Sequence, residues 1–111
     1  MTDADLNVAV AERVMGWTRD GTNIFGQIVY VGGTRPMADL PFLDDDWSGV
    51  RLVVERMREL GWRVLIEVRE DGVFEVEFWS KSRTDIPIAT SDTFPRAVCL
   101  AALKAVGGEV K

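Results

Sequence analysis

A chain of 111 residues with a net charge of −5 at neutral pH suits one domain, expected over residues 1–111, and argues against general binding to DNA or RNA backbones. It holds no histidine and a single cysteine, Cys99, which excludes imidazole metal sites, histidine acid–base catalysis and an internal disulfide. No apolar run approaches a membrane span and Met1-Thr2-Asp3-Ala4-Asp5 is not a secretory leader, so no membrane partner and a cytoplasmic location are expected.

Residues 3–15 read as a helix. Thr2 or Asp3 can cap it, and Leu6, Val10 and Val14 recur at spacing four to make one narrow apolar face. Gly16 is the expected terminator, and Trp17 folds back on the core. Asp20-Gly21 is a turn signal, and residues 24–31 read as a short strand, paired in a small hairpin with 17–19. The stretch Gly32-Gly33-Thr34-Arg35-Pro36, followed by Asp39-Leu40-Pro41, is a loop long enough to favour a functional role. Residues 47–60 read as a second helix, with Trp47, Val50, Val53, Val54, Met57 and Leu60 on its apolar side and Gly61 ending it.

The central element is a hairpin over residues 62–80. In 62–69 and again in 73–79 the even positions are apolar and the odd ones mostly polar. A two-residue turn would set Ile66 against Glu77. The three-residue turn Glu70-Asp71-Gly72 pairs Val68 with Phe74, Ile66 with Val76 and Val64 with Phe78, and is therefore expected, with Gly72 in the left-handed position. The helices should cover that apolar face. The other carries Arg63, Leu65, Glu67, Arg69, Glu75, Glu77 and Trp79, and is either solvated or part of a subunit interface. Residues 86–90 read as an edge strand, because Pro87 cannot donate to a ladder. Thr93 should cap a last helix that starts around Pro95 and ends at Gly107-Gly108. The fold class is α+β: an antiparallel sheet, built on the 62–80 hairpin plus edge strands, with three helices packed on it in an αβ sandwich.

Several clusters admit a chemical and a plain structural reading. Asp44-Asp45-Asp46 suits a cation, or the positive end of the following helix. Glu67, Glu75 and Glu77 suit a paired-carboxylate site, or ion pairs with Arg63 and Arg69. Cys99 lies in an apolar helical stripe and has no histidine to activate it, which favours a buried thiol. Gly32-Gly33-Thr34-Arg35 lacks the spacing and lysine of a phosphate loop. Arg96, in the first turn of the last helix, places a forked cation where a helix attracts anions. Trp79 stands beside Lys81 and Arg83, the pairing of flat ring and cation that holds a nucleobase and its phosphate, although an exposed ring also marks interfaces.

Three stretches together carry a family resemblance: residues 6–17 ending in Met15-Gly16-Trp17, residues 47–61 with Val53-Val54-Glu55-Arg56-Met57-Arg58, and residues 93–106 opening Thr93-Phe94-Pro95-Arg96-Ala97. The chain resembles the phage ABA sandwich domain over about four-fifths of its length, departing from it in the insertion at residues 20–46. The resemblance implies an anti-defence protein of phages that acts as a sponge. Some members bind the cyclic ADP-ribose isomer that signals in Thoeris immunity, or cyclic oligonucleotides of related systems, and hold them without cleavage. They work as homodimers or higher homo-oligomers. A sponge needs neither a nucleophile nor a cofactor, so no enzyme activity is expected. Trp17, Arg19, Arg35, Trp79, Arg83 and Arg96 are the expected ligand-binding residues, chosen by chemistry and loop position. The alternative is a non-catalytic phage accessory protein that works through protein–protein contacts; an enzyme degrading such a nucleotide ranks below it.

Overall fold

The computed structural model describes residues 2–31, 40–44, 47–82 and 84–107, together with the backbone of Pro36 and Met37. Helix α1 (Asp3–Ala9) opens with a reciprocal cap: Thr2 Oγ1 accepts from the Asp5 amide at 3.1 Å and the Asp5 carboxylate accepts from the Thr2 amide at 3.2 Å. The expected α-helix does not run unchanged to residue 15. From Val10–Val14 it widens into a π-turn, in which the Met15 amide reaches the Val10 carbonyl and the Trp17 amide the Ala11 carbonyl. The wider turn keeps Val10, Ala11 and Val14 all in the core. Arg56 Nε, 3.1 Å from the Val14 carbonyl, satisfies one of the acceptors left at that end.

Strands β1 (Thr18–Thr22), β2 (Ile28–Val31) and β3 (Pro36–Met37) form a small antiparallel sheet in that order. The turn lies at residues 23–27 and not at Asp20-Gly21, which sits inside β1 where the register shifts between Arg19 and Gly21. Asn23 wins the turn because its side-chain oxygen accepts from both the Phe25 and Gln27 amides, at 2.9 and 3.0 Å. The expected strand over residues 24–31 is therefore half turn, and it leaves Ile24 and Phe25 exposed at the tip.

The end of the loop before the second helix, residues 40–44, contributes to the core. Phe42 is fully buried and Leu40 and Leu43 pack beside it. Helix α2 (Trp47–Glu59) crosses this loop so closely that a β-carbon built on Gly49 would stand 1.8 Å from the Pro41 carbonyl oxygen. Only glycine fits that crossing. Val50, Val53 and Met57 enter the core as expected; Leu60 stays exposed, and Trp47 stacks on Phe94 at 5.4 Å between ring centroids.

The hairpin has the expected register. Strands β4 (Arg63–Val68) and β5 (Phe74–Trp79) pair Val68 with Phe74, Ile66 with Val76 and Val64 with Phe78. The Arg69 amide meets the Val73 carbonyl at 2.8 Å, which leaves the three-residue turn, and Gly72 has φ 82°. Strand β6 (Ile88–Ser91) pairs antiparallel with β5 and is an edge, as Pro87 demands. Helix α3 (Phe94–Ala105) follows Thr93, which has the extended geometry of a cap but makes no capping bond through its own side chain.

Helix α3 is the hub. Its small residues Ala97, Ala101, Ala102 and Ala105 are buried, and it touches β5, β6, α2 and the π-turn. It lies under the β5–β6 side of the sheet: Val76, Phe78 and Ala89 are buried. The expectation that helices cover the whole apolar face fails at β4, where Ile66 and Val68 are 36% and 66% exposed. The class is α+β as expected, with two three-stranded antiparallel sheets where one was anticipated.

Candidate functional site

The Arg63–Trp79 pairing places the start of β4 beside the end of β5. The end of α2 comes to the same place, because Gly61 at φ 92° turns the chain sharply from helix into strand. A groove of about 690 Å³ opens there, lined by Arg58, Leu60, Gly61, Trp62, Arg63, Trp79, Ser80, Lys81 and Ser82. Trp79 is 45% exposed, and its Nε1–H donates to the Glu77 carboxylate at 3.2 Å, which fixes the plane of the indole. Ser80 and Ser82 hold one another at 3.0 Å between hydroxyl oxygens. The half-exposed Trp79 ring, with two guanidiniums and an ammonium around it, can stack a planar heterocycle and take anionic groups at its edge. The volume is that of a small-molecule site.

Of the six residues expected at a ligand site, Trp79 lines this groove. Trp17, Arg19 and Arg96 are not among its described lining residues. Trp17 packs on Phe42, with centroids 5.4 Å apart, and covers the core. Arg19 lies on β1 and pairs with Glu12 at 3.1 Å; the Tyr30 hydroxyl donates to the same carboxylate oxygen at 3.1 Å. The bond from Arg19 to Glu12 raises the guanidinium further above its ordinary value, while burial, then the bond to Glu12, pushes the Tyr30 phenol above its own. Arg96 forms an ion pair with Asp3, tying the start of α3 to the start of α1. Arg35 and Arg83, with the Gly32–Arg35 loop and Asp45-Asp46 of the acidic trio, lie outside the described residues.

Arg58 and Arg63 escaped the site reading, which placed Arg63 on the charged hairpin face that is either solvated or part of a subunit interface. For Arg63 the signal was present: the hairpin register that pairs Val64 with Phe78 also sets Arg63 across from Trp79. Arg58 arrives through the packing of α2 on the sheet, which carries no local sequence mark.

Cys99 is buried against the Phe42 carbonyl at 3.7 Å, and burial pushes its thiol up to about 12, against a small opposing pull from the Arg96 charge. Among the described residues no three Cys, Asp or Glu side chains gather as a metal site, and no helix is long and apolar enough to cross a membrane.

No curated protein and no solved structure matches the chain. The family model of the phage ABA sandwich domain matches residues 8–103, which include every helix and strand from the π-turn to Leu103 in α3. With that share of its length matched, the chain belongs to the phage ABA sandwich domain family.

Proposed function

We propose that this protein binds and holds, without cleaving it, a cyclic adenine-nucleotide immune signal, a cyclic ADP-ribose isomer or a cyclic oligonucleotide, in the groove at Trp79. The observation that carries the reading is one half-exposed indole with Arg58, Arg63 and Lys81 around it in a groove of small-molecule size. The indole stacks on adenine and the three cations take the phosphates. Arg96, engaged with Asp3, has a structural task in this reading. A sponge works only below the cellular level of its signal, so a dissociation constant of about 100 nM or tighter is expected, about −9.5 kcal/mol.

Capture and release tests it. The purified protein is incubated with cyclic ADP-ribose isomers and cyclic oligonucleotides, filtered, heat-denatured, and both fractions are analysed by chromatography. One compound lost from the filtrate and returned intact on heating supports the proposal. Return as a new product identifies an enzyme, and passage of every compound through the filter overturns ligand binding altogether. Trp79→Ala should weaken capture by about 5- to 150-fold, the range for a lost base–aromatic stack of 1–3 kcal/mol, with thermal stability nearly unchanged.

A further inference from the structure

The two edges of the β4–β5–β6 sheet are finished differently. At β6 the edge is short, four residues, preceded by Pro87, and its outward Ile88 carbonyl accepts from Lys104 Nζ of α3 at 2.8 Å. At β4 none of these devices is present among the described residues. The strand runs six residues without a bulge, contains no proline or lysine, and pairs with a neighbour on one side. The Arg69–Val73 bond sets the phase of the ladder: odd residues of β4 bond to β5, so Val64, Ile66 and Val68 turn their amides and carbonyls to the open edge. Leu65, Ile66 and Val68 are exposed on the two faces of that same strand.

We propose that β4 is the contact through which a second copy of this chain pairs, antiparallel and across a twofold axis at Leu65, to make a continuous six-stranded sheet. The occupant is named by the strand's own pattern. Faces are kept only if odd residues meet odd ones and even meet even. With Leu65 opposite Leu65 of the second copy, Arg63 of each chain falls opposite Glu67 of the other, and Val64 opposite Ile66. Both charge pairs then take the closer, non-hydrogen-bonded positions. Shifting the axis to Ile66 sets Arg63 opposite Arg69 and Leu65 opposite Glu67; shifting it to Glu67 brings like carboxylates together. One register alone is self-complementary on both faces. Among the described residues neither Arg63 nor Glu67 makes an ion pair within its own chain. The inference uses no ligand, but it shares Arg63 with the groove, so its test is run on the ligand-free chain.

The experiment is sedimentation equilibrium of the full chain without ligand, on wild type, Arg63→Glu, Glu67→Arg and the double variant carrying both changes, with circular dichroism confirming that each is folded. Wild type should dimerise. Each single reversal replaces two attractions by two repulsions and should weaken the dimer by about tenfold or more; the double variant, which restores both pairs with the signs exchanged, should recover it. A monomeric wild type overturns the proposal and leaves the edge for a strand of another protein. A dimer indifferent to both single reversals overturns it too, and one tightened by Arg63→Glu identifies the Ile66 register instead. Should a single variant fail to fold, Ile66→Lys is the second probe, and a dimer that survives it counts against the edge.

Discussion

Strands β4 and β5 share one alternating pattern and meet opposite fates. On β5, Val76 and Phe78 are fully buried under α3; on β4, Val64 is only partly buried against the core, Ile66 is 36% exposed and Val68 is mostly exposed. The comparison teaches what alternation can and cannot say. A period of two tells which side of a strand is apolar. How far the covering layer extends across the sheet depends on where a single helix of twelve residues settles, and its alanines draw it over β5 and β6.

The sharpest way to break the comparison is at its covered end. Phe78→Ala should cost about 3–5 kcal/mol in urea unfolding, because α3 and the sheet cannot close on the cavity. Gly49→Ala comes next: the new methyl meets the Pro41 backbone, and a loss of about 2 kcal/mol or more is expected, as for overpacking of a tight core. Cys99 tests the dryness of the same half. The unfolded chain loses its thiol proton near pH 8.5, whereas the folded chain keeps it to about 12. The contribution is therefore whole below that lower value and is lost as pH rises through the folded one, at about 1.4 kcal/mol per pH unit in between. The gap in urea midpoint between wild type and Cys99→Ala should narrow as the solution is made more alkaline. At the uncovered end, Val68→Ser should change monomer stability by no more than about 0.5 kcal/mol, the usual range for exposed positions. A loss as large as that of Phe78→Ala would mean that β4 is covered after all.

Much of this architecture was legible, and for physical reasons. The hairpin register could be read because a slip of one residue would bury Glu77 with Ile66, a cost no local preference offsets. The Leu6, Val10 and Val14 stripe and the Gly61 stop were legible for similar reasons of periodicity and positive φ. The 18–31 region was misplaced because two turn signals compete there. Asp20-Gly21 has the better-known pair, but Asn23 gathers two amides on one oxygen, and Asp20 becomes the extra residue of a bulge in β1. At the candidate site the ring was legible, and so was Arg63 through the hairpin register, but Arg58 was not. Trp79 declares itself as an aromatic on a charged face, whereas Arg58 joins it only because α2 and β5 end at the same place, a property of the packed molecule. Trp17 and Arg19 have the right chemistry and the wrong neighbours, one spent on Phe42 and the other on Glu12.

The buried thiol has a practical consequence. Cys99 is the only sulfhydryl in the chain, and it is enclosed by helix and loop and held protonated far above neutral pH. Maleimides and methanethiosulfonates need an accessible thiolate. A cysteine introduced at Val68 or Ser82 would therefore take a fluorophore or spin label alone, in the otherwise natural sequence. The distance between two copies, or the quenching of a dye at the groove, could be followed without first removing a core residue.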